Sequence, residues 1–371
     1  MNIQIKSLGK IFDSVRSKLP SIRIKATEYG YSNARVRGMK GQLIKNNMIN
    51  ELLQVDTVEG MVEVLQRSGY KNELSAAALV RSGPDIIDLA VSKNFSAVIR
   101  KLLKISPKID QKSIHALVTK WKIINLKIIM QAKRIGKNFE EIEPQLMIIE
   151  PQDKIDLQRI LKADDKNLIK EIKRSEIGKQ IMPEEDLWQT FEKIFSSNKS
   201  FFDSEKKLDI FSYLITDRLL SKSGSQKDLE RIRKILKLEI NSKNIMIIAR
   251  MKKMGMSLDK IEEEIIKGGS LRKKEIHKIK EAKNIKEINT VIKDVFPDIA
   301  INEDNNLVDL EIALEKAVAA KKVAAFEKEV LSVGVILGFL FLKEQEANNF
   351  RKIAKAKGFG IPVSEVRQMI I

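Results

Sequence analysis

The sequence contains no cysteine and only two histidines, His115 and His277, among 371 residues. Without cysteine the chain can form no disulfide framework, thiol nucleophile or cysteine-ligated metal site. Each histidine stands alone in a lysine-rich segment, and neither belongs to the His-Glu-x-x-His pattern of zinc enzymes. Thiol chemistry, cysteine-ligated metal sites and the paired-histidine zinc site are therefore excluded.

Motifs for phosphate binding and acyl hydrolysis are missing as well. The chain has no Gly-x-x-x-x-Gly-Lys-Ser/Thr loop and no Gly-x-Ser-x-Gly elbow. The three glutamates Glu262-Glu263-Glu264 follow one another directly in the sequence. Neighbouring residues of a helix point in different directions, so these side chains do not form a catalytic pair. We therefore expect no catalytic residue, no cofactor and no metal site.

Aromatic residues make up only 5% of the chain and proline occurs eight times, whereas Ile, Leu, Lys and Glu are abundant. This composition favours helices packed by aliphatic side chains over a β-sandwich or barrel. The longest apolar run, Val330–Leu342, is shorter than the roughly 20 residues that a helix needs to cross a bilayer. We interpret it as a buried helix, so any membrane association is expected to be peripheral.

What the chain has in excess is positive charge, with a formal net charge of +18. A basic protein attracts nucleic acid, anionic lipid or an acidic partner. However, Lys and Glu alternate along most of the sequence, as they also do on an ordinary solvated helix face. The charge therefore leaves the class of partner open.

Three segments share one pattern and are here called copy 1 (Asn125–Leu146), copy 2 (Asn244–Ile265) and copy 3 (Asn349–Ile370). Positions are counted from the first Asn as zero. Residues at +1, +4, +10, +14, +17 and +21 are apolar in every copy. Lysine stands at +8 and glycine at +11 throughout: Lys133, Lys252 and Lys357, then Gly136, Gly255 and Gly360.

The pattern predicts a helix, a glycine stop and a second amphipathic helix. Glycine just past a helix end adopts the left-handed conformation without a Cβ clash. Asn138 and Ser257 are candidate N-caps of the second helix. Each lysine either contacts a partner or interacts with the negative end of the helix dipole. The residues alone leave both roles open.

A fainter fourth copy begins at Asn33 and includes Lys40, with Asn46 or Asn47 as its predicted left-handed stop. Successive copies begin 92, 119 and 105 residues apart, which fits tandem domains better than a solenoid. We predict three similar helical domains, at residues 1–120 with an N-terminal extension, 121–240 and 241–371. The segments between the copies, including Asn306–Leu342, also have helical spacing.

Two stretches resemble a known family. Near the start, Tyr29-Gly-Tyr-Ser-Asn-Ala-Arg-Val-Arg-Gly-Met-Lys40 looks like the opening helix of the C subunit of archaeal A-type ATP synthases. Near the end, Gly334-Val-Ile-Leu-Gly-Phe-Leu-Phe-Leu-Lys-Glu-Gln-Glu346, followed by Asn349, is similar to that family and to the homologous d subunit of vacuolar ATPases. Together these stretches cover about a fifth of the chain, and the copies extend the agreement.

The resemblance implies an all-α protein of three similar domains around a pseudo-threefold axis, forming a funnel. It implies a non-catalytic central-stalk subunit of a rotary ATPase, peripheral at the cytoplasmic face of the membrane. Its partners would be the shaft subunits D and F and the proteolipid ring. The strong positive charge is not typical of that family, and it adds anionic lipid head groups beside the ring as a further expected partner. Transmitting torque needs a stiff adapter, which helix bundles provide without any catalytic group.

Partner-contact residues are predicted on two grounds. We expect the glycine-stopped turns and their basic neighbours to line one rim that meets the ring or lipid. The basic set comprises Arg35, Arg37, Lys133, Lys252 and Lys357. Three carboxylates in the family-like C-terminal region, or close before it, either meet a basic partner or form ordinary surface salt bridges: Glu327, Glu344 and Glu346.

Two alternatives remain. A basic helical protein could bind nucleic acid along phosphates, although few aromatics are present to stack bases and no reader motif is present. A helical scaffold of another complex would share the domain type by analogy only.

Overall fold

The computed structural model describes residues 29–196, 201–221, 226–299 and 306–371, and these ranges contain helices and no strand. This confirms the all-α prediction. The helices, apart from the short 3-10 turn Glu143–Gln145, are α1 (29–40), α2 (Asn46–Gln54), α3 (Val58–Leu65), α4 (Lys71–Ala78), α5 (Pro84–Ile105), α6 (Lys108–Ile135), α7 (Phe139–Ile142), α8 (Pro151–Lys162), α9 (Leu168–Arg174), α10 (Glu176–Ile181), α11 (Glu185–Ser196), α12 (Phe201–Leu220), α13 (Gln226–Lys253), α14 (Leu258–Glu264), α15 (Lys273–Glu281), α16 (Ile285–Ile292), α17 (Leu307–Ala324), α18 (Val333–Gly358) and α19 (Val363–Met369).

The three copies begin within the helices α6, α13 and α18, whose two halves pack differently. Their N-terminal halves share one hydrophobic cluster, here the central cluster, to which position −8 contributes Leu117, Leu236 and Phe341. Their C-terminal halves enter three separate clusters, here the outer clusters. The three helices therefore converge at their N-terminal halves and separate towards their C-terminal ends.

Each of these helices packs along one further long helix: α6 along α12, α13 along α17, and α18 along α5. The first two partners follow their copy in the chain. The third precedes it, since the outer cluster of copy 3 combines residues 52–91 with residues 347–366. The two ends of the described chain thus form one packing unit.

The asparagine that opens each copy holds the backbone of the residue 22 positions later. In copy 1, Asn125 donates to the Met147 carbonyl (2.7 Å) and accepts from the Met147 amide (2.8 Å). Asn244 makes the same two bonds to Ile266, and Asn349 makes them to Ile371. Buried backbone groups need such partners, which explains why the position is asparagine in all three copies.

The glycine stops are confirmed. Gly136, Gly255 and Gly360 have φ of 70°, 69° and 66°, and a Cβ at any of them would meet no atom within 4 Å. The left-handed backbone, rather than space, therefore selects glycine. Asn138 caps α7 in a capping box with Glu141, as predicted, whereas Ser257 occupies the N-cap of α14 without a side-chain hydrogen bond.

The prediction that Asn46 or Asn47 ends the first helix of a fourth copy in a left-handed conformation is wrong. No non-glycine residue among the described ones has a positive φ, and Asn46 begins α2 instead of ending a helix. Asn33 donates to the Val330 carbonyl (3.0 Å), so it does not hold a residue 22 positions later as the other asparagines do. The resemblance between Asn33 and the true copies is one of composition only.

The predicted helical stretch Asn306–Leu342 is interrupted between α17 and α18. Phe326 turns back in this interruption, and its Cβ lies 2.9 Å from where a Cβ on Gly338 would be. Glycine in the apolar run therefore permits a close approach. Residues 333–342 form the start of α18, with Leu337 and Leu340 fully enclosed, as predicted, whereas Val330 and Leu331 precede the helix and are exposed.

The predicted domain boundaries after residues 120 and 240 fall inside α6 and α13. Each of these helices belongs to the central cluster in its first half and to an outer cluster in its second. The three-domain partition stays a prediction.

Candidate partner-binding cavity

The floor of the candidate site is a group of charged side chains where α6, α13 and α18 meet. Position −5 carries Lys120, Glu239 and Glu344. The Lys120 ammonium lies 3.2 Å from Glu239 and 3.9 Å from Glu344. Lys322 of α17 completes the group, at 2.6 Å from Glu239 and 3.6 Å from Glu344. We call these four residues the floor cluster.

Burial alone would raise the pKa of Glu239, but the ammonium groups of Lys120 and Lys322 outweigh it and lower that pKa to about 2. The same interactions raise the pKa of both lysines, against the lowering effect of their burial. Glu239, Lys120 and Lys322 therefore remain charged at neutral pH. The floor cluster is a fixed electrostatic joint between the three converging helices.

Beyond the floor cluster the helices separate around a cavity of about 880 Å³. Its walls come from α13 and α18, with α12, α17 and part of α6. Eight basic and six acidic side chains line it, so neither sign dominates. The end at which α6, α13 and α18 reach their glycine stops is here called the mouth, and the opposite end, beyond the central cluster, the narrow end.

Ion pairs between neighbouring helices cover the cavity walls. Arg250 pairs with Glu311 (2.6 Å), Lys352 with Glu315 (2.6 Å), and Lys127 with Asp209 (2.9 Å). Most of these side chains are partly exposed, where a pair contributes only about 0.2–1 kcal/mol. Such pairs can exchange partners at little cost when another charged surface enters the cavity.

The repeated lysines cap helices other than their own. Lys133 donates to the Leu161 carbonyl (3.2 Å) and to Ala163 at the end of α8. Lys252 donates to Lys280 and Ala282 at the end of α15. Lys357 donates to Leu53 (3.4 Å) and Val55 at the end of α2. In every case the acceptors are the C-cap residue and the residue two before it, which are carbonyls that a helix leaves unpaired.

These contacts favour the interpretation that the lysines interact with the negative end of a helix. That helix is a different one from the helix that carries the lysine. Partner contact by Lys133, Lys252 and Lys357 stays a prediction. At position +8 each lysine points about 160° away from the cavity-lining side of its helix, since each residue advances a helix by about 100°.

The three predicted carboxylates lie in different environments. Glu344 belongs to the floor cluster. Glu346 is buried and accepts from the Ile44 amide (2.6 Å), the Tyr70 hydroxyl (2.7 Å) and Lys343 (2.7 Å). Only Glu327 is exposed, between α17 and α18. Glu346 is therefore an internal residue and not a surface salt bridge: it joins α18 to Ile44, two residues before α2, and to Tyr70, directly before α4.

Arg35 and Arg37 are exposed on α1, at the narrow end, where Arg37 donates to the Val330 carbonyl (3.2 Å). Lys357 stands near the other end of α18, a helix of 26 residues and so about 39 Å long. The expectation that the arginines and the repeated lysines line one rim is therefore wrong. The contact of each residue with a partner remains a prediction.

The floor cluster was not predicted from the sequence. A signal existed, because position −5 is charged in all three copies whereas position −8 is apolar in all three. A position that carries a charged residue in all three copies, at the same offset from the first Asn, indicates a place where the three helices meet. Lys322 could not be found in this way, since it lies on α17, outside the copies.

Among the described residues, no group of three or more His, Cys, Asp and Glu side chains is arranged to hold a metal ion. His277 pairs with Glu281 (3.2 Å) on the exposed side of α15. None of the described helices combines the length and the apolar character needed to span a membrane.

Comparison with known proteins gives one family over nearly the whole chain. The family model of the ATP synthase (C/AC39) subunit matches residues 32–369. The chain is 25% identical to the C subunit of the A-type ATP synthase of Methanosarcina barkeri, over 93% of each chain. It is 27% identical to that of Methanosphaera stadtmanae, over 92% of this chain and 88% of the relative. For Thermococcus onnurineus the identity is 23%, over 98% and 96%. The resemblance found in the sequence is thus confirmed, and the chain belongs to the ATP synthase (C/AC39) subunit family.

Proposed function

We propose that the chain is a non-catalytic central-stalk subunit of an A/V-type rotary ATPase. It acts as the socket that couples a shaft of subunits D and F to the membrane proteolipid ring, in ATP-linked transport of protons or sodium ions. In this proposal the three copies form a funnel around one axis. The mouth receives the shaft, and the narrow end rests on the ring at the cytoplasmic face of the membrane.

The observation that carries the proposal is the separation of α6, α13 and α18 around the cavity, above a shared floor cluster. A helix with its side chains is about 10–12 Å wide and rises about 1.5 Å per residue, so about 880 Å³ holds roughly six residues of one helix. The cavity therefore suits the tip of a single helix. Torque applied to such a tip would pass through the floor cluster to all three helices.

The narrow end has features that suit an anionic surface. Arg35 and Arg37 are exposed there on α1. In the proposal they face the ring or anionic lipid head groups beside it, where each positive charge near such a surface contributes about 1 kcal/mol. The paired charges of the cavity walls do not form the one-signed track that phosphate binding favours, so nucleic acid is the weaker candidate.

The test is an affinity purification of the tagged chain from native membranes after mild solubilisation, with the co-purifying chains identified by mass spectrometry. We expect shaft and proteolipid subunits, retained after nuclease treatment. An untagged strain provides the control for nonspecific capture. Recovery of nucleic acid or ribosomal proteins in place of motor subunits would contradict the proposal.

A further inference from the structure

The three copies each place one large apolar side chain in solvent. Position +10, directly before the glycine stop, is Ile135, Met254 and Phe359 in copies 1, 2 and 3. These side chains are 65%, 74% and 82% exposed. Scattered exposed apolar residues are ordinary, whereas these three recur at one position of the repeat.

The direction of these side chains follows from helical phase. The cavity is lined by positions −5, −1, +2 and +6 of α18, which are Glu344, Asn348, Arg351 and Lys355. At about 100° per residue, position +10 lies about 40° from position +6 and in the same direction as position −8, Phe341, which also lines the cavity. Position +10 therefore continues the face that lines the cavity.

The helical phase persists as far as position +10. Met254 donates its amide to the Arg250 carbonyl (3.1 Å), and Phe359 donates to Lys355 (3.0 Å). Both are the i to i−4 bonds of an α-helix. Ile135 is the last residue of α6. The three side chains thus stand at the mouth, on the cavity side of their helices, about 22 Å along each helix from position −5.

We propose that Ile135, Met254 and Phe359 form an apolar collar that grips the shaft at the mouth. The inference rests on the proposed function and adds the residues and the chemistry of the contact. The occupant is a helix of the shaft that carries apolar residues at the level of the collar and charged residues at its tip. The charged tip would meet the paired walls of the cavity, whose ion pairs exchange easily.

The structure also ranks the three members. The cavity lining extends to Met251 on α13 and to Lys355 on α18, one turn before the collar. On α6 it ends at Lys127, two turns before Ile135. Met254 and Phe359 therefore stand nearest the cavity, and they should contribute more to binding than Ile135.

The experiment measures binding of the purified full-length chain to co-expressed subunits D and F. Replacing all three collar residues by serine should weaken binding at least about tenfold, because buried apolar anchors dominate interface affinity. Met254→Ser with Phe359→Ser should account for most of that loss. Leu79→Ser is the matched control, since Leu79 is 86% exposed at the end of α4, outside the cavity lining, and its change should alter binding less than about twofold.

The outcomes separate the inference from the proposed function. If the wild-type chain binds D and F and the triple variant binds equally well, the collar is wrong while the socket stands. If the wild-type chain does not bind D and F at all, both are wrong. The loss should persist from about 0.1 M to about 0.5 M salt, because an apolar contact is not screened as charges are. A loss that vanishes at high salt would assign the effect to charge and overturn the collar.

Site-specific cross-linking gives a second measurement, which does not depend on a loss of binding. The chain has no cysteine, so Met254→Cys, Phe359→Cys and Leu79→Cys each create a unique attachment point for a photoactivatable cross-linker. We expect cross-links to a shaft subunit from residues 254 and 359 and none from residue 79. Cross-links only to lipid or to a second copy of this chain would overturn the proposal.

Discussion

Copies 1 and 2 differ from copy 3 in how they are joined to the helix that their lysine caps. Lys133 and Lys252 reach carbonyls 28 and 30 residues later along a continuous chain. Lys357 makes the same two contacts with residues about 300 positions earlier. The packing unit is therefore defined by its contacts and not by the order of its helices in the chain. In copy 3 no short connecting segment holds the two helices together, so other interactions must stabilise their contact.

Extra interactions are found at that joint. Glu346 links α18 to Ile44 and Tyr70, and the rings of Tyr70 and Phe350 meet edge to face at 5.3 Å. Arg367 of α19 donates to Asn50 of α2 (2.9 Å). Loop closure between distant residues costs entropy, and these interactions offset it. Substitutions at the joint between the chain ends should therefore lower the free energy of unfolding the most.

The largest expected effect is that of Glu346→Ala, which breaks this joint. The change leaves the buried Lys343 ammonium without its carboxylate, and the loss of one partner of a buried pair costs about 3–5 kcal/mol. The free energy of unfolding, from urea denaturation, should fall by this amount, and the amides of α2 should exchange faster. The control is the double variant Lys343→Met with Glu346→Gln, which removes the stranded charge and should be less destabilised. Equal loss in both variants would contradict the explanation.

The floor cluster, which joins all three copies, should respond to acid. The folded pKa of Glu239, about 2, lies below the ordinary value of 4.5, so its contribution is complete above about pH 4.5 and is lost as the pH falls towards 2. The shift corresponds to about 3 kcal/mol. Wild type should lose about that much more stability than Glu239→Gln between pH 5 and pH 2. Parallel pH profiles of the two proteins would show that the floor cluster is not the joint described.

The asparagines allow a direct comparison of the copies. Asn125→Ala and Asn244→Ala each leave a buried amide and carbonyl without partners, which should cost about 2–3 kcal/mol. Asn349→Ala should cost only about 1 kcal/mol, because Ile371 is partly exposed and water can replace the lost bonds. Chemical denaturation of the three variants tests this order. A cost for Asn349→Ala as large as the other two would mean that the chain end is as tightly enclosed as the interior loops.

The glycine stops should show the smallest effect and no difference between copies. Gly136→Ala, Gly255→Ala and Gly360→Ala place a Cβ in open space but on a left-handed backbone, at a cost of about 1 kcal/mol each. Asparagine at the same positions should cost less, since it tolerates this conformation. Unequal losses among the three alanine variants in thermal denaturation would contradict the equivalence of the turns.

The sequence predicts the local features of the copies but not the distant ones. A glycine after a helical pattern indicates a left-handed stop by itself, and all three stops are present. The acceptors of Lys357 lie at the other end of the chain, where no local pattern can indicate them. The false fourth stop at Asn46 matches the composition of the copies, but a helix begins at that point instead.

The collar shows another limit of periodicity. Position +10 belongs to the apolar pattern of the copies, which predicts a buried face, yet Phe359 is 82% exposed. Three residues advance a helix by only about 300°, so the series +1, +4, +7, +10 rotates by about 60° at each step. By +10 the apolar series has turned from the outer cluster towards the cavity. A count of apolar positions that ignores their direction around the helix axis therefore misses an exposed apolar surface.

The most direct test of the socket is a cryo-electron microscopy map of the rotary complex purified through this chain. We expect a shaft helix that enters between α13 and α18, passes Met254 and Phe359, and ends above the floor cluster. We also expect α1, at the narrow end, to face the proteolipid ring. An empty cavity in an intact complex, with the shaft bound elsewhere on this chain, would contradict the socket.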